Sequence, residues 1–234
     1  MNTISFEFSA AAKRMWSTQI ENNGDVKAVV FISAKKDNFI AGADIMDIKN
    51  MEDKNDLLPI ISSGVDFFKS MKAKKIPLIS AINGACLGGG LEWALWCDYR
   101  VCTDSSSTKM GLPEVKLGLL PGFGGTQNLF PLVGVQGAMD MMLTGKDIRP
   151  AKAKKMGLVD IVCAPAALEH NAVRAAEDLI AGKIKVRGKK KRNERNEREN
   201  RERRDHAIDG GIESASSRHL VAISSTESTT LTVV

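Results

Sequence analysis

The segment Ile76-Pro77-Leu78-Ile79-Ser80-Ala81-Ile82 is apolar almost without interruption. A strand at the edge of a core alternates polar and apolar residues. A run with no polar face reads as a strand covered on both sides, the usual state of a parallel sheet flanked by helices. Other segments agree. Val26 to Ser33, Tyr99 to Thr103 and Gly157 to Val162 read as strands. Between and after them, a short helix from Ile45 and longer ones over Pro59 to Lys72, from Gly89 or Gly90 through Cys97, over Val135 to Leu143 and over Pro165 to Ala181 follow from helical spacing. Phe39 to Asp44 reads as a tight loop. Strands alternating with helices through residue 182 define an α/β class with at least partly parallel pairing.

The composition changes abruptly after Gly182. Of 33 basic and 28 acidic residues, 12 and 4 fall within Lys183 to Arg204, leaving 21 basic and 24 acidic residues elsewhere, a net of −3. The overall charge of +5 therefore belongs to this stretch and not to the α/β part. Ser214 to Thr232 is rich in Ser and Thr. Such sequence buries too little apolar surface to offset its ordering entropy, so residues 1–182 read as the domain and 183–234 as a basic, then Ser/Thr-rich disordered tail. Residues 183–204 hold no Phe, Tyr or Trp on which bases could stack, so no specific nucleic acid is expected as a partner.

Several chemistries are excluded. No histidine precedes His170, which removes Ser-His-Asp and Cys-His sites and histidine-ligated zinc from the first 169 residues. No Gly-Lys-Ser/Thr follows the glycines, and Gly122 to Gln127 lacks the last glycine of a dinucleotide fingerprint. Cys86, Cys97, Cys102 and Cys163 form no C-x-x-C pair and read as reduced thiols of an intracellular protein. No apolar run approaches the ~18 residues of a membrane span, so no membrane partner is expected.

Two carboxylates remain, each beside a glycine-rich segment. Glu92 closes Gly84-Ala85-Cys86-Leu87-Gly88-Gly89-Gly90-Leu91-Glu92, and Glu114 lies in Gly111-Leu112-Pro113-Glu114, which leads to Pro121-Gly122-Phe123-Gly124-Gly125-Thr126. Glycine lets a backbone approach a ligand closely, and a carboxylate beside it can move protons on a ligand held by N–H groups. Asp44 and Asp98 read as caps or loop ties, Trp93 and Trp96 as core, and Met139, Met141 and Met142 as a packed helix face.

Those two segments, with Phe39-Ile40-Ala41-Gly42-Ala43-Asp44-Ile45, resemble the enoyl-CoA hydratase (crotonase) family. The likeness is strongest to the hydratase part of the multifunctional enzymes of fatty-acid oxidation, and it covers residues 1–182. It implies a crotonase-like spiral of ββα units, here without the family's first strands and last helices. It implies hydration of trans-2-enoyl-CoA to 3-hydroxyacyl-CoA with no bound cofactor or metal. By motif position it implies Glu92 and Glu114 as the catalytic pair and the N–H groups of Ala43 and Gly89 as an oxyanion hole. Ala41, Gly42, Asp44, Gly88, Leu112 and Pro113 would line the substrate, and the Gly122 backbone would help to position water. Glu92, in the first turn of a helix, is expected to be held ionised, and Glu114, among leucines, to be held protonated by burial. An isomerase needing one carboxylate and a non-catalytic scaffold or RNA-binding protein of the same fold are the alternatives. The resemblance further implies a homo-oligomer or a β-oxidation complex, in the mitochondrial matrix of a eukaryote or the cytoplasm of a bacterium.

Overall fold

The computed structural model describes residues 1–50, 53, 55, 57–186, 221–225 and 229–233. Seven parallel strands divide between two sheets. β1 (Val29–Ile32), β3 (Leu78–Ile82), β5 (Tyr99–Thr103) and β7 (Ile161–Cys163) form one in that order, and β2 (Asp37–Ile40), β4 (Gly84–Leu87) and β6 (Lys109–Gly111) the other. Each strand pairs with the strand two places on: Ser80 lies beside Phe31 and Arg100, and Ala85 beside Asn38 and Lys109. Consecutive strands thus enter different sheets, and helices follow the first two pairs. α2 (Ile45–Lys49) and α3 (Leu57–Ala73) follow β2, and α4 (Gly89–Trp96) follows β4. This is a spiral of ββα units.

The long apolar strand is covered on both faces, as its sequence requires. Successive side chains of a strand point to opposite sides. Leu78 and Ile82 enter the main core with Phe31, Leu91 and Trp93, whereas Ile79 and Ala81 meet Ala172, Ala175 and Ala176 of α8 (Leu168–Ile180). Arg100, on β5, is buried with Asp160 as an ion pair at 3.2 Å, both side chains 2% exposed. Its guanidinium also donates to the carbonyls of Cys97 and Leu158, which ties the end of α4 to the approach of β7.

Some elements differ from the sequence reading. α1 (Phe6–Met15), capped by Ser5, precedes the first strand. β2 occupies the first two residues of the supposed loop at 39–44, and β4 and β6 are additional. The strand expected at 157–162 is confined to Ile161–Cys163, because Gly157 ends α7 (Pro150–Met156) in the left-handed region at φ 86°. Between β6 and α7 lie α5 (Gly125–Asn128) and α6 (Phe130–Thr144), the latter kinked at Gly134. At the end of α8 the N–H groups of Lys183 and Ile184 bond the Asp178 carbonyl. Most of the tail expected to be disordered lies outside the described residues. Within it, β8 (Val221–Ser225) and β9 (Thr229–Val233) pair antiparallel. Among the described residues no helix is long and apolar enough to cross a membrane.

Candidate active site

Three backbone segments converge at the start of α4. Gly88 precedes the helix at φ 52°, a conformation that side chains disfavour. A Cβ on Gly90 would lie 2.1 Å from the Ile40 carbonyl oxygen, so only glycine lets α4 rest against the end of β2. A Cβ on Gly88 would lie 3.6 Å from the Gly42 Cα. The loop 41–44 and the start of α4 therefore meet backbone to backbone. The first N–H groups of a helix lack intrahelical partners and attract negative charge. Gly89 presents such a group at the head of α4.

The loop is held by the N-terminal segment. The Ile4 N–H bonds Gly42 O at 2.8 Å, and the Asp44 N–H bonds Ile4 O at 3.1 Å. This bridge uses the groups flanking Ala43, which leaves the N–H of Ala43 directed to the other side of the chain. Asn2, 1% exposed, donates to Ser33 and to the Phe39 carbonyl and locks the segment in place. The Asp44 carboxyl accepts the Met46 N–H at 2.9 Å and the Thr3 hydroxyl at 3.0 Å; both bonds, the first foremost, hold its pKa below the usual value. Asp44 thus caps α2 and ties the loop, as its position indicated. Asp98 likewise ties β3, accepting the Leu78 N–H at 3.1 Å.

Glu92 is 1% exposed. Its Oε1 accepts the Gly125 N–H at 2.7 Å and the Phe123 N–H at 2.8 Å. Burial pushes its pKa up to about 7; the two N–H donors oppose that rise, and the neighbouring Glu114 charge adds to it. Burial thus works against the helix start, from which the sequence led one to expect an ionised Glu92. Glu114 lies in the 3₁₀ turn Pro113–Leu117 and points toward the same place, its Oε1 being 3.2 Å from where a Gly88 Cβ would stand. Burial raises its pKa as well, and its Oε2 is buried without a hydrogen-bond partner among the described residues.

Both carboxylates line one cleft of about 200 Å³, and so do Ala41, Gly42, Ala43, Asp44, Gly88, Gly89, Pro113 and Gly122. Leu112 is fully buried and is not among the residues that line the cleft. A carboxyl pair with raised pKa values can hold one proton between them and give or take it near neutral pH. Among the described residues no group of three His, Cys, Asp or Glu side chains gathers as a metal site.

Two contributors escaped the sequence reading. Trp96, read as plain core, donates its indole N–H to the Phe123 carbonyl at 2.6 Å and stacks on Phe68 at 5.5 Å. Phe123 carries the N–H that holds Glu92, and its ring forms part of the cleft wall. The adjoining glycines were the available signal, since a turn that offers two N–H groups to one carboxylate needs them.

The chain is similar to known proteins. The enoyl-CoA hydratase/isomerase family matches residues 1–219. The chain is 48% identical over 176 residues to the fatty acid oxidation complex subunit alpha of Shewanella loihica, covering 75% of this chain and 25% of that protein. The same subunit of Shewanella sp. strain ANA-3 is 47% identical over 191 residues, covering 82% and 26%. The chain thus spans about a quarter of the length of these curated relatives. The crystal structure of enoyl-CoA hydratase from Bacillus anthracis superimposes with a TM-score of 0.69 at 34% identity, over 76% of this chain and 67% of that one. Pseudomonas aeruginosa DspI does so at 0.70 and 30%, over 76% and 71%.

Proposed function

Since the chain belongs to the enoyl-CoA hydratase/isomerase family, we propose that its cleft adds water across the C2=C3 bond of a trans-2-enoyl-CoA, giving the 3-hydroxyacyl thioester. The observation that carries this reading is the meeting of Glu92 and Glu114 in one cleft with the Gly89 helix start and the Ala43 loop. The Gly89 and Ala43 N–H groups would receive the thioester carbonyl oxygen. Negative charge gathers there as the oxygen of water bonds C3, and one such donor is worth ~10²–10³ in rate.

Glu92 takes the proton of the attacking water and Glu114 gives a proton to C2. The net addition is one water, and passage of the proton from Glu92 to Glu114 restores the starting state for the next turnover. Two N–H donors on Oε1 support the ionised form of Glu92, and a pKa of about 7 suits a base working near neutrality. The partly buried Glu114, its pKa raised, is suited to carry the proton. No cofactor enters this scheme. The substrate is the thioester partner, and participation in a fatty-acid oxidation complex is part of the proposal, supported by the subunit names of the relatives. Those relatives are bacterial, which favours the cytoplasmic expectation and lends none to the mitochondrial one.

Mass spectrometry of an enoyl-CoA incubated with the full chain tests the reading. A product heavier by one water supports it. A product of unchanged mass with a displaced double bond would assign isomerisation instead.

A further inference from the structure

Behind the cleft lies a second apolar chamber of about 470 Å³ between α1 and α3, walled by Phe67, Phe68 and Trp93. The cleft alone, about 200 Å³, is smaller than the ~300–1,000 Å³ usual for small-molecule sites, and the chamber brings the space into that range. Phe123 lines both spaces. Its ring is wedged between α4 and α3: a Cβ on Gly64 would stand 2.5 Å from Cε1, and one on Gly89 3.4 Å from Cδ2. Gly64 leaves the room in which this ring lies. The backbone of Phe123 is tied at both ends, its N–H to Glu92 and its carbonyl to Trp96. The ring meets Phe68 edge-on at 6.4 Å.

We propose that the Phe123 ring is the gate that sets acyl-chain length. A short acyl group ends against the ring, inside the cleft. A longer one displaces the ring and extends its tail into the chamber. This rests on the thioester reading above. The lining of the chamber also carries Lys13, bonded to Ser63 at 2.6 Å, a charged group beside which an apolar tail gains nothing. Affinity therefore rises with chain length past the ring and levels off once the tail reaches Lys13.

The test is calorimetric binding of the saturated thioesters butanoyl-, decanoyl- and hexadecanoyl-CoA to the full chain. Binding needs no turnover, so it separates this proposal from the assigned reaction. The variants are Phe123→Ala, Phe123→Leu as the milder opening, and Ala10→Phe, which fills the chamber from α1. Opening the gate raises the hexadecanoyl-to-butanoyl affinity ratio by about tenfold or more, the effect of a few methylenes in an apolar site. Filling the chamber lowers that ratio. Thioesters that bind with the same ratio in all four proteins overturn the gate and leave the thioester reading standing. A parent protein that binds none of them overturns both.

Discussion

The N–H of Gly125 donates to Glu92 Oε1 at 2.7 Å across 33 residues of sequence. One glycine-rich segment thus holds the carboxylate of the other. A Cβ on Gly125 would sit 3.0 Å from that same oxygen, so the contact depends on the missing side chain. The two motifs form a single site because of this close approach.

Glu92→Gln and Glu114→Gln should each lower hydration turnover by ~10²–10⁴, the usual loss on removing a general acid or base. Acyl-CoA affinity should change little, since the backbone donors remain. The double variant should lose less than the product of the single losses, because the pair acts as a unit. Steady-state kinetics and calorimetric binding on the same preparations check this. Turnover near that of the parent in either single variant would remove that residue from the chemistry.

Stability should fall as pH rises through neutrality. The ordinary Glu pKa of 4.5 is pushed up to about 7 at Glu92 in the folded chain. Between these values the folded state binds more protons than the unfolded one, so the unfolding free energy declines with pH. The stabilisation from protonated Glu92 is complete below about pH 4.5 and is lost as pH passes about 7. Glu114, also raised, adds in the same direction. Gln at 92 can still accept the Phe123 and Gly125 N–H groups but does not titrate. The melting temperature of Glu92→Gln should therefore gain on the parent across this window and level off above it. Parallel melting curves at every pH would contradict the assignment.

Much of the fold was legible because it rests on burial patterns. Leu78 to Ile82 is apolar on both faces because α8 covers one side and the main core the other. β2, β4 and β6 were not legible. They are three or four residues long, and Gly84 and Gly111 made two of them look like turns. Glu92, Glu114 and the glycines beside them were visible as a pattern of residue types. The pKa of Glu92 was not, because helix position is local in sequence, whereas the burial that leaves it 1% exposed brings in Phe123 and Gly125 from more than 30 residues away.

Two glycine substitutions should be costly and a third harmless. A Cβ on Gly84 would lie 2.0 Å from the Asp37 carbonyl carbon, and one on Gly90 2.1 Å from Ile40 O. Both neighbours are backbone and cannot turn aside. Gly84→Ala and Gly90→Ala should destabilise by about 1–3 kcal/mol or more. Gly24, with nothing within 4 Å of its added Cβ, should tolerate Ala within about 0.5 kcal/mol. Urea unfolding of the three variants decides, and equal midpoints would refute the close approach.

Asp160→Ala should cost about 3–5 kcal/mol by leaving the Arg100 guanidinium buried without its counter-charge. Arg100→Met with Asp160→Leu should cost less than Asp160→Ala alone, since neither charge then remains. Chemical denaturation measures both. A double variant less stable than the single one would show that the ties from Arg100 to the Cys97 and Leu158 carbonyls outweigh the ion pair.

The central claim is hydration by this cleft, and the direct measurement follows the ultraviolet absorbance of the conjugated enoyl thioester with purified, folded chain. The account predicts loss of that absorbance with saturable dependence on substrate, formation of the 3-hydroxyacyl-CoA, and a loss slower by ~10²–10⁴ with Glu92→Gln. A folded preparation that binds acyl-CoA yet leaves the absorbance unchanged at every chain length would contradict it.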